Sequence, residues 1–352
     1  MSKRKSSKIA VDTTSGAMAY NRFDMQVSQV LHMAIELYDT DDFLFVLDHY
    51  DDISLFDDEN NPTTVSYYQM KTSGEYILFS TALKDEWIAK LYSQQVNTDW
   101  ITKEMGLITN CPIHVTLSRQ KKIVLDSPRT GFVDFNPEIV DKVKKDISDK
   151  IGIPVSDVDL SKMFHIKTTL SIERHRDLVE KEFGDFLNEH YCGITCDAVK
   201  TVFSTMIELL TKRQSVEIID SDAKFDVVRQ KKGIARSDIE KVIQRSMLLA
   251  IPPVNKVIMY FSKGDLLSVY NAYTRLISDR ERKDFILERL ILRFDAMMKS
   301  ENLKKEEQIE DYIKRISKMV RESDPRLSAI YDFFYLQVVG TCVYINELRS
   351  IS

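Results

Sequence analysis

Glycine and proline are scarce, 10 and 8 in 352 residues. That excludes collagen-like and low-complexity chains and argues against an array of short hairpins. Cysteine is scarcer still, 4 at irregular spacing, so no disulfide framework is expected and a reducing, cytoplasmic setting is. The basic opening Met1-Ser2-Lys3-Arg4-Lys5 is followed by no apolar stretch, so it does not read as a secretory signal. The longest apolar uncharged run, Phe333 to Ile345, covers 13 residues, whereas a bilayer span needs about 20. No membrane partner is expected. The length suffices for two domains with their own cores.

Positive charge is missing from a whole window. Between Arg22 and Lys71 there is no Lys or Arg, yet 11 acids fall there: Asp24, Glu36, Asp39, Asp41, Asp42, Asp48, Asp51, Asp52, Asp57, Asp58 and Glu59. The bland explanation is a solvated acidic surface. Such a surface repels phosphate unless a cation reverses its sign, and a divalent metal does that.

Around these acids the spacing alternates between helix and strand. Met18 to Tyr38 repeats apolar residues at three and four, a helix; Phe43 to Leu47 is a short apolar run, a strand buried on both faces. Ile53 to Phe56 and Thr64 to Met70 predict two more strands around the turn residues Asn60-Asn61-Pro62, and Thr81 to Gln94 predicts one helix. Further strands are expected at Cys111–Ser118, Lys122–Leu125 and Phe164–Ile172. Helices are expected at Pro137–Ile151 after an Asn136 cap, at about 173–190 and 194–213, and from Asp238 behind a capping box at Ser237. After Ile251-Pro252-Pro253 strand signals vanish and a helical period dominates, with one apolar stripe through Ile309, Tyr312, Ile313, Ile316, Met319 and Val320. Ala329 to Leu348 is apolar nearly all round, a helix buried in its own bundle or against another subunit.

The chemistry is concentrated in Asp51-Asp52-Ile53 and in Tyr68-Gln69-Met70-Lys71. In a strand, residues i and i+2 share a face, so Gln69 and Lys71 point together while Met70 turns inward and leaves its carbonyl available. Pairing of the two strands brings Asp52 beside them. The product is a set of hard oxygen donors with an ammonium alongside, which suits Mg²⁺ or Mn²⁺. Phosphodiester hydrolysis is the reaction such a site favours. The order helix–strand–strand–helix is that of a restriction-endonuclease-like core, so the fold class expected is α/β, with an all-helical region beyond the composition shift near residue 250.

Ser15-Gly16, Arg22-Phe23-Asp24-Met25-Gln26, Asp51-Asp52-Ile53 and Tyr68-Gln69-Met70-Lys71-Thr72, with Leu170 to His175 and Lys231 to Ile239 further on, resemble one family. It is the double-stranded-DNA endonuclease domain of CD-NTase-associated anti-phage effectors, found also in Lamassu effector subunits. The resemblance spans roughly 11–248 and implies a PD-(D/E)xK-type endonuclease domain there, which leaves 249–352 as an all-helical regulatory or assembly domain. It implies a metal-dependent nuclease in which Asp52 is the main metal ligand, Gln69 replaces the usual second acid, and Lys71 is the catalytic lysine, with the Met70 carbonyl as a further ligand. Gln26 occupies the family's glutamine position, Asp51 is a neighbour of open role, and Asp48 stands where a glutamate is frequent. The short helical tail lacks room for the family's cyclic-oligonucleotide sensor and resembles the Lamassu arrangement, which implies an SMC-like ATPase complex as partner, double-stranded DNA as substrate, and activation by homo-oligomerisation. A nuclease triggered by a cyclic oligonucleotide and a catalytically inactive scaffold are the alternatives.

Other signals are weaker. His190 with Cys192 and Cys196 matches no zinc spacing, His49 reads as a surface residue, and His114 reads as a core residue in an apolar strand. Lys3-Arg4-Lys5, Arg119 to Lys122, Lys142 to Lys145 and Arg229 to Lys232 are candidate, sequence-independent phosphate contacts.

Overall fold

The apolar run at Phe43–Leu47 becomes a strand with every residue buried, and the sheet grows from it. The computed structural model describes residues 15–191, 194, 196–219, 223–248, 250–282, 285–301, 303 and 307–351. These form a mixed α/β arrangement with a helical C-terminal region. The first helix, α1, is Ser15–Leu37; β1 (Leu44–Leu47), β2 (Ile53–Phe56) and β3 (Thr64–Lys71) follow. Then come β4 (Ile77–Leu78), α2 (Phe79–Lys84), α3 (Trp87–Ser93), β5 (Ile101–Thr109), β6 (Ile113–Thr116), β7 (Lys122–Leu125), β8 (Arg129–Gly131), α4 (Pro137–Ile151) and β9 (Met163–Lys167). The helices α5 (His175–His190), α6 (Cys196–Gln214) and α7 (Phe225–Lys232) lead to β10 (Gly233–Ala235) and α8 (Arg236–Leu248).

Seven strands form one sheet in the order β10-β1-β2-β3-β5-β9-β8, and β4-β6-β7 form a smaller one. β1, β2 and β3 run antiparallel, whereas β3, β5 and β9 are parallel. A parallel pair needs a long crossover, and the β3–β5 crossover carries α2 and α3. On one face Val46, Tyr67 and Leu107 pack with Ile88 and Leu91 of α3 and with Ile139, Val143 and Ile147 of α4. Each such aliphatic side chain contributes about 1.5–3 kcal/mol relative to exposure. On the other face Phe45, Ile53, Met70 and Ile108 are buried as well. The helix α1 is joined to α5 by Ser28–His175 at 2.8 Å, His32–Glu182 at 2.8 Å and the Asp24–Arg176 ion pair.

Several elements differ from expectation. The single helix expected at 81–94 is two, because Glu86 between them adopts a left-handed φ of 62° that an α-helix cannot contain. β5 went unforeseen because Lys103 and Glu104 interrupt its pattern; Glu104 is paired, accepting from the Tyr68 hydroxyl at 2.6 Å and from Arg129. β10 was also missed, and it moves the start of α8 to Arg236. Ser237 is therefore no helix cap: its hydroxyl donates to Glu59 at 2.9 Å. The Asn136 cap is present, its Oδ1 accepting from the Glu138 N–H at 3.0 Å.

By their contacts the residues fall into two compact units, one of Met1–Glu182 with Ile207–Asp238, the other of Phe183–Met206 with Ile239–Ser352. In the second, α9 (Val254–Val257), α10 (Leu266–Glu281), α11 (Phe285–Ser300), α12 (Ile309–Ser323), α13 (Pro325–Ile330) and α14 (Phe333–Ile351) share a core. The stripe on α12 buries Tyr312, Ile313, Ile316 and Val320 as expected. The apolar helix starts at Phe333 rather than Ala329, and from Tyr335 to Val343 it is buried on every side within this bundle. Phe294 lies against Gly340, where a Cβ would fall 2.8 Å from the ring. No described helix is long and apolar enough to cross a membrane.

Candidate active site

Five residues, Asp48 to Asp52, connect β1 to β2 beyond the last paired rung, Leu47 with Ile53. The Asp48 N–H donates to the Asp52 carbonyl at 3.2 Å, which closes the loop. Asp48 takes a left-handed φ of 48°, a conformation that a non-glycine residue holds only where its surroundings impose it. Tyr50 supplies part of that constraint. Its ring meets Phe56 at 5.8 Å and Trp100 at 5.6 Å edge-on, and Phe225 completes the aromatic nest.

The β2–β3 register pairs Ile53 with Tyr68, so one step further Asp52 lies opposite Gln69. Cross-strand partners share a face, and Lys71 shares it with Gln69. The structure brings the three together as that alternation requires. Asp52 Oδ2 accepts from the Met70 N–H at 2.7 Å and lies 3.7 Å from Lys71 Nζ. The N–H and carbonyl of a strand residue leave on the same side, so the Met70 carbonyl heads toward Asp52 while its side chain is buried. The Lys71 ammonium also sits 5.6 Å from the Trp87 ring centre.

Asp48, His49, Tyr50, Asp51, Asp52 and Gln69 line an open cleft of about 370 Å³ with Lys90, Ser93 and Gln94 at the end of α3. Two oxygens in it, Asp51 Oδ2 and Gln69 Oε1, are buried and have no hydrogen-bond partner among the described residues. Burial pushes the Asp51 carboxyl up to about 7, helped by the Asp52 carboxylate and opposed by the Asp52 N–H, by Lys71 and by Gln94. Asp48 is pushed up to about 6 by burial and by Asp52, against the opposing influence of Lys232 and Gln214. No group of three or more His, Cys, Asp or Glu side chains forms a metal cluster among the described residues. A cation held here would therefore need the amide and main-chain oxygens as well as carboxylate.

Gln26 lies elsewhere. It is buried, and its Oε1 accepts from Gln214 Nε2 at 2.8 Å. Gln214, at the end of α6, also donates to the Phe23 carbonyl at 3.3 Å, so Gln26 serves the α1–α6 contact and does not line the cleft. Sequence reasoning missed Lys90, Ser93, Gln94, Gln214 and Lys232. For Lys232 the sequence pointed the other way: Arg229 to Lys232 reads as a cluster of phosphate contacts, whereas Lys232 is 3% exposed and cannot meet a phosphate at the surface. His114 is corrected too, being exposed and stacked on Tyr76 at 4.5 Å. Cys196 is exposed and His190 bonds the Phe186 carbonyl; Cys192 and the Lys3–Lys5 cluster lie outside the described residues.

Fold and cleft together define a mixed α/β protein with an acid–amide–lysine site at the end of a sheet hairpin. Residues 14–214, more than half the chain, match the Cap4 dsDNA endonuclease domain, and the chain belongs to that family. It is 24% identical over 236 residues to the Lamassu protein LmuA of Bacillus cereus strain VD014, an overlap of 66% of this chain and 64% of that protein. The chain thus spans just under two thirds of that relative's length. Two structures of the Acinetobacter baumannii Cap4 SAVED/CARF-domain containing receptor, one of them with the cyclic trinucleotide 2'3'3'-cAAA, superpose with a TM-score of 0.40 at 15% identity. That superposition covers 64% of this chain and 45–47% of the receptor.

Proposed function

We propose that this chain is the nuclease effector of a Lamassu-like anti-phage defence system, cutting double-stranded DNA with Mg²⁺ or Mn²⁺ through a restriction-endonuclease-like, PD-(D/E)xK-type core. The observation that carries the reading is the convergence of Lys71 on Asp52 at 3.7 Å, with Gln69 on the same face in the position of the second acid. The donor set fits a hard cation. Gln69 Oε1 and Asp51 Oδ2 are enclosed oxygens lacking partners among the described residues, each costing about 1–3 kcal/mol in that state. Asp52, Gln69 and the Met70 carbonyl would hold the ion, with Asp51 and Asp48 at the rim.

When bound, the ion supplies a water of lowered pKa and neutralises charge on the scissile phosphate. The protein's own groups do the rest. The Met70 N–H fixes the orientation of Asp52, so its carboxylate is preorganised. The Lys71 ammonium, held between Asp52 and the Trp87 face, is placed to stabilise charge as it grows on the phosphoryl oxygens.

Membership of the dsDNA endonuclease domain family and likeness to the Lamassu protein LmuA support the substrate and the defence role. An SMC-like ATPase complex holds the chain at rest through its helical region, and homo-oligomerisation pairs two clefts so that both strands are cut. The test is Lys71→Ala in cells carrying the complete defence operon, with metal-dependent plasmid cleavage measured on the assembled complex. Loss of phage protection and at least a 100-fold fall in cleavage are expected. Full protection with Lys71→Ala overturns the reading.

A further inference from the structure

Lys232 is a charged side chain almost wholly removed from solvent, 3% exposed, at the point where α7 passes into β10. Burial of an ammonium is tolerated only where its donors are used. Its Nζ donates to the Leu47 carbonyl and to the Gln214 carbonyl, each at 3.1 Å. Leu47 is the residue before Asp48, so the first bond grips the peptide from which Asp48 departs in its left-handed conformation. The second bond fixes the end of α6, where the Gln214 side chain donates to Gln26 Oε1 at 2.8 Å and to the Phe23 carbonyl at 3.3 Å and so ties that end to α1. The charge of Lys232 also acts directly on Asp48.

The backbone is shaped for this placement. β10 pairs Gly233 with Val46 of β1, which sets Lys232 beside Leu47. At Gly233 a Cβ would fall 2.3 Å from the Arg229 carbonyl and 2.9 Å from Leu44, so only glycine lets the chain run this close.

We propose that Lys232 is a positioning residue of the cleft: with Gln214 and Gln26 it forms a buried bracket that aims the Asp48 carboxylate at the cation site. The proposal deepens the metal-dependent reading above and rests on it. Lys232 touches neither substrate nor cation; its effect is on where Asp48 stands. A bracket of this kind is felt in cation affinity more than in turnover at saturating cation, because Lys71 and Asp52 keep their own geometry.

The experiment is direct Mn²⁺ binding to the full chain by calorimetry without DNA, beside thermal melting, for wild type, Lys232→Met, Gln214→Leu and Asp48→Asn. Weakening of Mn²⁺ binding by 10-fold or more is expected in all three variants. The double variant Lys232→Met/Asp48→Asn should bind no more weakly than Asp48→Asn alone, since both break one linkage. Gln214→Leu leaves the ammonium and its carbonyl bonds in place, so it decides the matter if Lys232→Met does not fold. Wild-type affinity in Gln214→Leu or in a folded Lys232→Met, or multiplicative losses in the double variant, overturns the bracket while leaving the nuclease reading intact. No Mn²⁺ binding by wild type overturns both, and that outcome is visible before any variant is made.

Discussion

The Met70 main-chain N–H and Asp52 Oδ2 are hydrogen-bonded at 2.7 Å. A strand that ends with a lysine thereby uses its backbone to orient the carboxylate that the lysine faces. Lys71 Nζ lies 3.7 Å from the same oxygen, and Oδ1 makes no hydrogen bond among the described residues. One oxygen of Asp52 is thus committed to the protein and the other is left for the cleft. Because the contact is to main chain, it depends on the β2–β3 register and not on the identity of residue 70.

Lys71→Ala separates chemistry from stability. The Lys71 and Asp52 side chains are each about one quarter exposed, and such a pair contributes no more than about 1 kcal/mol. The melting temperature should move by only a few degrees while cleavage falls at least 100-fold. A variant that melts far earlier, with activity reduced only in proportion to unfolding, would show that the lysine is structural.

Gln69 gives a sharper contrast. Its Oε1 is buried with no partner among the described residues, so Gln69→Leu removes an unsatisfied group of similar size and should leave metal-free stability unchanged or raised by up to about 1 kcal/mol. Mn²⁺ binding should be lost in the same variant. Gln69→Glu restores an acid and should tighten binding instead. If Gln69→Leu is destabilising and binds Mn²⁺ as wild type does, the amide belongs to the core and not to a cation site.

Much of this site is written in local sequence. Two short strands around Asn60-Asn61-Pro62, with side chains alternating between faces, are enough to place Asp52, Gln69 and Lys71 together, as the register has them. The remainder comes from chain far away. Lys90 and Gln94 arrive through a crossover helix, and Gln214 and Lys232 lie more than 150 residues beyond Asp48 in the chain. No spacing rule links residues at that separation, and a lysine destined for burial looks in sequence like any other. β5 and β10 were hidden for related reasons: one carries charges that find partners only after folding, and the other is 3 residues long and exists only because β1 offers it an edge.

Gly106→Ala tests the packing beneath the site. Gly106 in β5 pairs with Tyr68, and a Cβ there would fall 2.5 Å from the Tyr68 ring. The ring must shift away from its bond to Glu104, and overpacking of this kind costs about 1–3 kcal/mol. Tyr68 adjoins Gln69, so the denaturant midpoint and the cation affinity should fall together. An unchanged midpoint would mean that the sheet yields there at no cost.

The two raised carboxyls should make stability and any cation binding depend on pH in opposite directions. Asp51 titrates at about 7 and Asp48 at about 6, against an ordinary 3.8, chiefly through burial. Between about pH 4 and 7 the native state keeps protons that the unfolded chain has released, so the stability these groups contribute is complete below pH 4 and is lost as pH rises through 6 to 7. On the proposed cation site, a divalent ion needs the ionised forms and must displace those protons, so its binding is expected to tighten as pH rises over the same window. Metal-free wild type should therefore lose melting temperature between pH 5 and 8 relative to Asp51→Asn, which cannot ionise at that position. Calorimetry of Mn²⁺ binding at pH 6.5 should show proton release, read from its dependence on buffer ionisation enthalpy. Parallel melting curves for wild type and Asp51→Asn, with no proton release on binding, would place Asp51 outside the cation site and leave its buried Oδ2 as a plain structural defect.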